Sequence, residues 1–179
     1  MINTINHYLL DIIEKNIFPE TATVVSVKEG RVFGAAIVDQ EGRHILHSTN
    51  QIISSQNPLM HGEVATLTKA FAELRTNDLS KYILLSTHEP CPMCISAAYW
   101  SGIQTIYYLF SYEDTDTLFQ MPDDLMMCKE LFGTKHPRVD NSLIRLTRIT
   151  EPKERVKLLY KRYIELFNDH GFERQQGVI

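Results

Sequence analysis

The chain has 179 residues, enough for one sizeable core, and 44% of them are apolar against 22% charged, which excludes a disordered chain. Its formal charge is −4, from 18 basic and 22 acidic residues without a basic cluster, and this argues against a long nucleic-acid partner. Three cysteines cannot all pair with one another, and a chain of this length needs no disulfide staples, so their use is chemical or incidental. The opening run MINTINHYLLDIIEK has no basic n-region, and Asp11, Glu14 and Lys15 interrupt its apolar stretch. The longest stretch without a charge, Pro90 to Tyr112, is broken by two prolines, three serines and Gly102 and makes a poor membrane helix. The expectation is a cytoplasmic, reduced protein. No repeat or linker divides it, so residues 1–179 are read as a single domain.

In chain order, Ile5, Tyr8, Leu9, Ile12, Ile13 and Ile17 fall at helical spacing, and Pro19 marks the end of that helix. Thr21 to Val27, Val32 to Val38 and His44 to Ser48 are short and β-branched. Glu29-Gly30 and Glu41-Gly42 separate them as turns, which predicts three antiparallel strands. From Pro58 to Leu74 the period is helical again, with Val64, Leu67, Phe71 and Leu74 on one stripe. Tyr82 to Ser86 reads as a strand, Pro92 to Trp100 as a helix and Gln104 to Phe110 as a strand, the alternation of a parallel crossover unit. Asp123 to Phe132 is a weaker helix and Leu143 to Arg148 a strand. Glu151 to Asn168 is a helix with Val156, Leu159, Tyr160, Tyr163 and Leu166 along one face and Pro152 in its first turn. The fold class is α/β, with a mixed sheet of about five strands and helices on both faces.

Two segments carry chemistry. His61-Gly62-Glu63 stands at the start of one predicted helix, and Glu89-Pro90-Cys91-Pro92-Met93-Cys94 lies between a strand and a helix. Cysteines three apart on a first helical turn present their sulfurs to one face, and Pro92 is tolerated because that turn has no intrahelical partner for its N–H. The positive end of the helix favours thiolates. With the His61 imidazole they make three N/S donors and leave a fourth tetrahedral position for water, as in a catalytic zinc site. Glu63 can reach that water without binding the metal. Other readings of these residues are a redox dithiol, and a closed structural site in which Cys128, His88 or His136 supplies a fourth ligand.

The order H-x-E followed by P-C-x-x-C is the signature of zinc deaminases. Over about residues 22–131 the chain resembles the cytidine and deoxycytidylate deaminase superfamily, nearest its guanine and nucleobase deaminase branch, with Ala98-Tyr99-Trp100 typical of guanine deaminases. The strand and helix at about 143–168 lie outside that likeness. The His-Gly-Glu triplet is the cytosine deaminase form, where guanine and tRNA enzymes commonly carry His-Ala-Glu. The resemblance implies a three-layer α/β/α cytidine-deaminase-like fold, a Zn2+ cofactor held by His61, Cys91 and Cys94, and Glu63 as the proton shuttle. It further implies Asn50, Trp100 and Asp124 as substrate-binding residues, a small nucleobase or nucleoside substrate, and a homodimer. Guanine or a related purine is the first expectation; a cytosine- or pterin-like base and tRNA adenosine are alternatives, and a zinc-bearing scaffold without activity is the rival of a different class.

Overall fold

The computed structural model describes residues 2–133 and 144–170. A five-stranded sheet has the order β2-β1-β3-β4-β5, from β1 (Gly34–Val38), β2 (His44–Thr49), β3 (Ile83–His88), β4 (Thr105–Phe110) and β5 (Arg145–Arg148). β1 pairs antiparallel with β2 on one side and with β3 on the other, whereas β3–β4 and β4–β5 are parallel. Such a mixed sheet needs crossovers, and α4 (Pro92–Trp100) provides the one between β3 and β4.

Alternation along the strands divides the core in two. Ala36 and Val38 of β1 and Ile83 and Leu85 of β3 join one apolar cluster with Leu9, Ile13, Val25, Leu159 and Tyr163. Their neighbours Ala35, Ile37 and Leu84 join the other, with Leu67, Ala70 and Ala98 of α3 (Gly62–Leu74) and α4. Successive side chains of a strand face opposite sides, so burial of both sets requires a helical layer on each face. The three-layer α/β/α expectation therefore holds. No described helix is long and apolar enough to cross a membrane.

One predicted strand is a helix. Thr21 to Val27 does not pair with the sheet; α1 (Ile2–Ile12) continues through a π-helical turn at Ile13–Ile17 into α2 (Phe18–Ser26). The π turn restarts the helix so that Pro19 falls in the first turn of α2, where its missing N–H costs nothing. The β-branched run disfavours helix by a few tenths of a kcal/mol per residue, about the scale of intrinsic propensity, and burial of Thr21 and Val25 outweighs it. The place expected for that strand beside β1 goes to β3. A second helix escaped the periodicity: α5 (Tyr112–Phe119), capped by Ser111, whose side chain and the Asp114 carboxylate close a reciprocal capping box. The helix at Asp123–Phe132 (α6) stands as expected, and α7 (Lys153–His170) begins just after Pro152. Leu143, the expected first residue of the last strand, lies outside the described residues.

His88, at the end of β3, is buried in an aromatic cage, stacked on Phe110 at 4.7 Å and edge-on to Phe33 at 4.5 Å and Phe119 at 5.0 Å. Its Nδ1 lies 2.9 Å from Thr87 Oγ1, while Nε2 has no hydrogen-bond partner. Burial pulls its pKa down to about 3, so the imidazole is neutral in the fold. Below the ordinary value of about 6.5 the unfolded chain takes up a proton that the native state refuses. This group therefore withdraws about 1.4 kcal/mol of stability per pH unit as pH falls from there towards 3. Phenylalanine keeps the ring and cannot titrate. The gap in unfolding free energy between H88F and the wild type, measured by denaturant titration, should widen in favour of H88F between pH 6 and pH 4; parallel curves would contradict the assignment.

Candidate active site

Two helix starts meet above the ends of the central strands. His61 is the N-cap of α3, and Ala65 N–H closes the first turn on the His61 carbonyl at 2.8 Å. Cys91 is the N-cap of α4, with Pro92 in the first turn. Gly62 lets α3 start this low on the sheet: a Cβ there would stand 2.9 Å from the Cα of Gly34 in β1. Thr66 Oγ1 adds a bond to the Ala35 carbonyl at 3.1 Å. The Cys91 loop is held from below, since Glu89 N–H donates to the Phe110 carbonyl at 2.7 Å. The Glu89 carboxylate accepts Tyr112 N–H at 3.1 Å, and the Tyr112 hydroxyl donates to the Pro90 carbonyl.

His61, Cys91 and Cys94 come together, with their donor atoms all within 4.8 Å of one another. Cys91 Sγ is 3.7 Å from His61 Nδ1 and 3.6 Å from Cys94 Sγ. Ligands about 2.0–2.3 Å from a tetrahedral ion stand about 3.3–3.8 Å apart, so the spacing fits zinc, and the N/S/S donor set suits it. The S–H of Cys94 and then His61 hold Cys91 down at about 4, as a thiolate. Burial pulls His61 down, but the Cys91 thiolate outweighs it and holds the imidazole up at about 9. A bound cation would replace the proton that these two groups hold between them.

Glu63 is buried in the first turn of α3. Its Oε1 accepts Ser86 Oγ at 3.0 Å and its Oε2 lies 3.5 Å from Cys94 Sγ. Burial, then the Cys91 thiolate, raise its pKa. Ser86 and Glu89 are positioning residues that the motif reading passed over. The signal was present: a serine on the buried face of an apolar strand, and a carboxylate directly before Pro90.

Of the residues implied to bind substrate, Asp124 near the start of α6 is half-buried and close enough for the charges of Cys91, His61 and Glu63 to act on it; burial is the main reason its pKa rises to about 7. Asn50 is buried in the loop after β2. Its Oδ1 accepts Ile52 N–H at 3.3 Å, as in an Asx turn, and the next residue, Gln51, donates its N–H to the Met60 carbonyl beside His61 at 3.0 Å. Trp100 does not reach the cluster. It ends α4, six residues and about 9 Å of helix beyond Cys94, is 84% exposed, and packs edge-on to Tyr99 at 5.8 Å. A fourth protein ligand finds no support among the described residues: His88 sits in its aromatic cage, and Cys128 packs with Tyr112 and Leu125. His136 lies outside them.

The chain is similar to known proteins in both sequence and fold. The guanine deaminase of Bacillus subtilis (strain 168) is 36% identical over 102 residues, 57% of this chain and 64% of that protein. The tRNA-specific adenosine deaminase of Rickettsia bellii (strain RML369-C) is 34% identical over 76 residues, 42% of this chain and 52% of that protein. The chain thus spans less than two thirds of the length of these curated relatives. The solved guanine deaminase from Nitrosomonas europaea shares the fold at a TM-score of 0.59 and 23% identity, covering 88% of this chain and 82% of that one. Residues 18–110, just over half of the sequence, match the family model for the cytidine and deoxycytidylate deaminase zinc-binding region, with all three metal donors and Glu63 inside the match. The chain belongs to the cytidine and deoxycytidylate deaminase family, and zinc is the metal that its histidine and two cysteines suit.

Proposed function

We propose that the protein is a hydrolytic deaminase of a small nucleobase or nucleoside, guanine or a guanine-like purine first among them. The observation that carries this reading is Glu63, a buried carboxylate beside three metal donors and not one of them. A purely structural zinc site has no use for such a group. His61, Cys91 and Cys94 would hold zinc, which when bound would supply a water acidified towards neutrality. Glu63 would take one proton of a water as its oxygen bonds to the ring carbon bearing the amine and pass it to the ring nitrogen, then take the hydroxyl proton of that adduct and pass it to the amine, so that the C–N bond breaks and ammonia leaves. Ser86 fixes the carboxylate while it does so. Asp124 is the group that accepts a ring N–H next to the reacting amine.

The guanine preference rests on the Bacillus subtilis relative and on Asp124 standing in electrostatic reach of the metal donors. The Rickettsia bellii relative keeps tRNA adenosine as a competing substrate, which the net charge of −4 disfavours.

Two variants separate metal binding from proton transfer. C91A should lose zinc, about one ion per chain in the wild type by elemental analysis, and should melt at a lower temperature because metal binding is part of the folding free energy. E63Q should keep zinc and melting temperature while turnover falls by about 10²-fold or more. Normal turnover in E63Q would remove the mechanism. The substrate is tested by following ammonia from the zinc-loaded protein with guanine, guanosine, cytosine, adenine and a tRNA anticodon stem. Guanine or guanosine should react, and D124A should cut that rate by about tenfold or more without changing zinc content, the cost of leaving one buried donor unpaired. Release from cytosine or the stem alone would overturn the guanine preference.

A further inference from the structure

We infer that Asp114 is a positioning residue of the metal centre: one oxygen of its carboxylate ties α7 and β5 to the start of α5, and through Tyr112 it sets the peptide that carries the Cys91 thiol. This goes beyond the deaminase reading and rests on the metal donors alone.

The loop that bears Cys91 is held by Phe110 and Tyr112. Glu89 N–H donates to the Phe110 carbonyl at 2.7 Å, and Tyr112 N–H donates to the Glu89 carboxylate at 3.1 Å. The Tyr112 hydroxyl donates to the Pro90 carbonyl. That carbonyl and the Cys91 nitrogen belong to one planar peptide unit, so its direction fixes the plane from which the Cys91 side chain leaves. Cys94 follows, because Ile95 N–H closes the first turn of α4 on the Cys91 carbonyl at 2.9 Å. Tyr112 is buried and is the first residue of α5, so the place where that helix starts decides where its hydroxyl points.

Asp114 decides where α5 starts. Its Oδ2 accepts Ser111 N–H at 2.8 Å and the Ser111 hydroxyl at 3.1 Å, which closes the cap. The same oxygen accepts the Tyr160 hydroxyl of α7 at 2.8 Å and a guanidinium N–H of Arg148 at the end of β5. Arg148 also donates to the Tyr160 oxygen at 2.7 Å, and the Tyr160 ring lies 4.2 Å from that of Phe110. A capping box needs only the bonds with serine. The two donors from β5 and α7 exceed that need, and they are charge-assisted, since the acceptor is a carboxylate. They fix Ser111, and with it Tyr112, against a strand and a helix that carry no metal donor. Ser111, Tyr112, Asp114, Arg148 and Tyr160 all lie past residue 110, where the family match ends. The β5–α7 unit thereby gains a role in the metal site without touching it.

Zinc affinity, read on the purified full chain by competition with a chelator, tests this. Loss of outer support around metal ligands typically weakens binding 10–100-fold, so D114A should raise the zinc dissociation constant by about tenfold or more. D114E keeps a carboxylate that can close the capping box and should recover part of the affinity. Y160F removes one donor to Asp114, leaves the cap and Arg148 in place, and should weaken zinc in the same direction by a smaller factor. Should D114A not fold, Y160F decides alone. R155A is the control: it loosens the other anchor of α7, the ion pairs to Asp11 and Glu14, and should leave the zinc dissociation constant unchanged. A purely structural role would lower the melting temperatures of metal-free and zinc-loaded protein equally and leave the dissociation constant at its wild-type value in D114A and Y160F. That result overturns the inference, as does an R155A that weakens zinc as much as Y160F. Zinc binding is read without a substrate, so these outcomes are independent of whether the wild type releases ammonia.

Discussion

The site depends on how closely two backbones approach. Gly34 of β1 has the Gly62 backbone of α3 on one face and Ile17 on the other, where a Cβ would stand 2.5 Å from the isoleucine side chain. One residue without a side chain thus sets the spacing of all three layers. The contact fixes the height at which α3 begins over the sheet, and with it the positions of His61, one residue before Gly62, and Glu63, one residue after. Thr87 on the neighbouring strand ties in the same glycine: Gly34 N–H donates to its hydroxyl, and the Gly34 carbonyl lies 3.1 Å from the same oxygen. β3 carries Ser86, Thr87 and His88 in succession, so one strand orients the carboxylate, clamps β1 and fills the aromatic cage. The His-Gly-Glu triplet has its physical reason here, because alanine at position 62 would force α3 away from β1.

The metal donors sit where helix starts leave N–H groups without intrahelical partners, which favours the anionic forms of sulfur and carboxylate. Two segments thirty residues apart must meet within a few ångströms for this to work. Glu89 and Tyr112 hold the second segment, and through them the capped start of α5 braces the metal loop. Removing zinc from such an arrangement leaves a thiolate, an imidazolium and a buried carboxylate together, a costly set of charges that the ion resolves.

Much of this was legible in the residues. The triplet at His61 and the Cys91–Cys94 pair announced the donors because metal chemistry tolerates few residue types at few spacings. Pro92 to Trp100 and Asp123 to Phe132 were readable as helices to the residue. Thr21 to Val27 was not readable: its β-branched composition speaks for a strand, and only the π turn at Ile13–Ile17, invisible to a 3.6-residue period, explains how the helix passes Pro19. Ser111 and Asp114 did spell the capping box of α5, a signal that a search for apolar periodicity passes over because the helix is short and mostly polar. Asn50 shows how one residue answers to two rules at once, making a local turn beside the site. Trp100 followed from resemblance and not from geometry, and the length of α4 carries it away from the metal donors.

The central claim is an open metal centre with three protein ligands. X-ray absorption at the zinc edge of the purified protein tests it most directly. Two sulfurs at about 2.3 Å, one imidazole nitrogen at about 2.0–2.1 Å and one further light atom that is not imidazole are the predicted shell. A third sulfur or a second imidazole in that shell would mean a closed structural site, and the catalytic reading would fall with it.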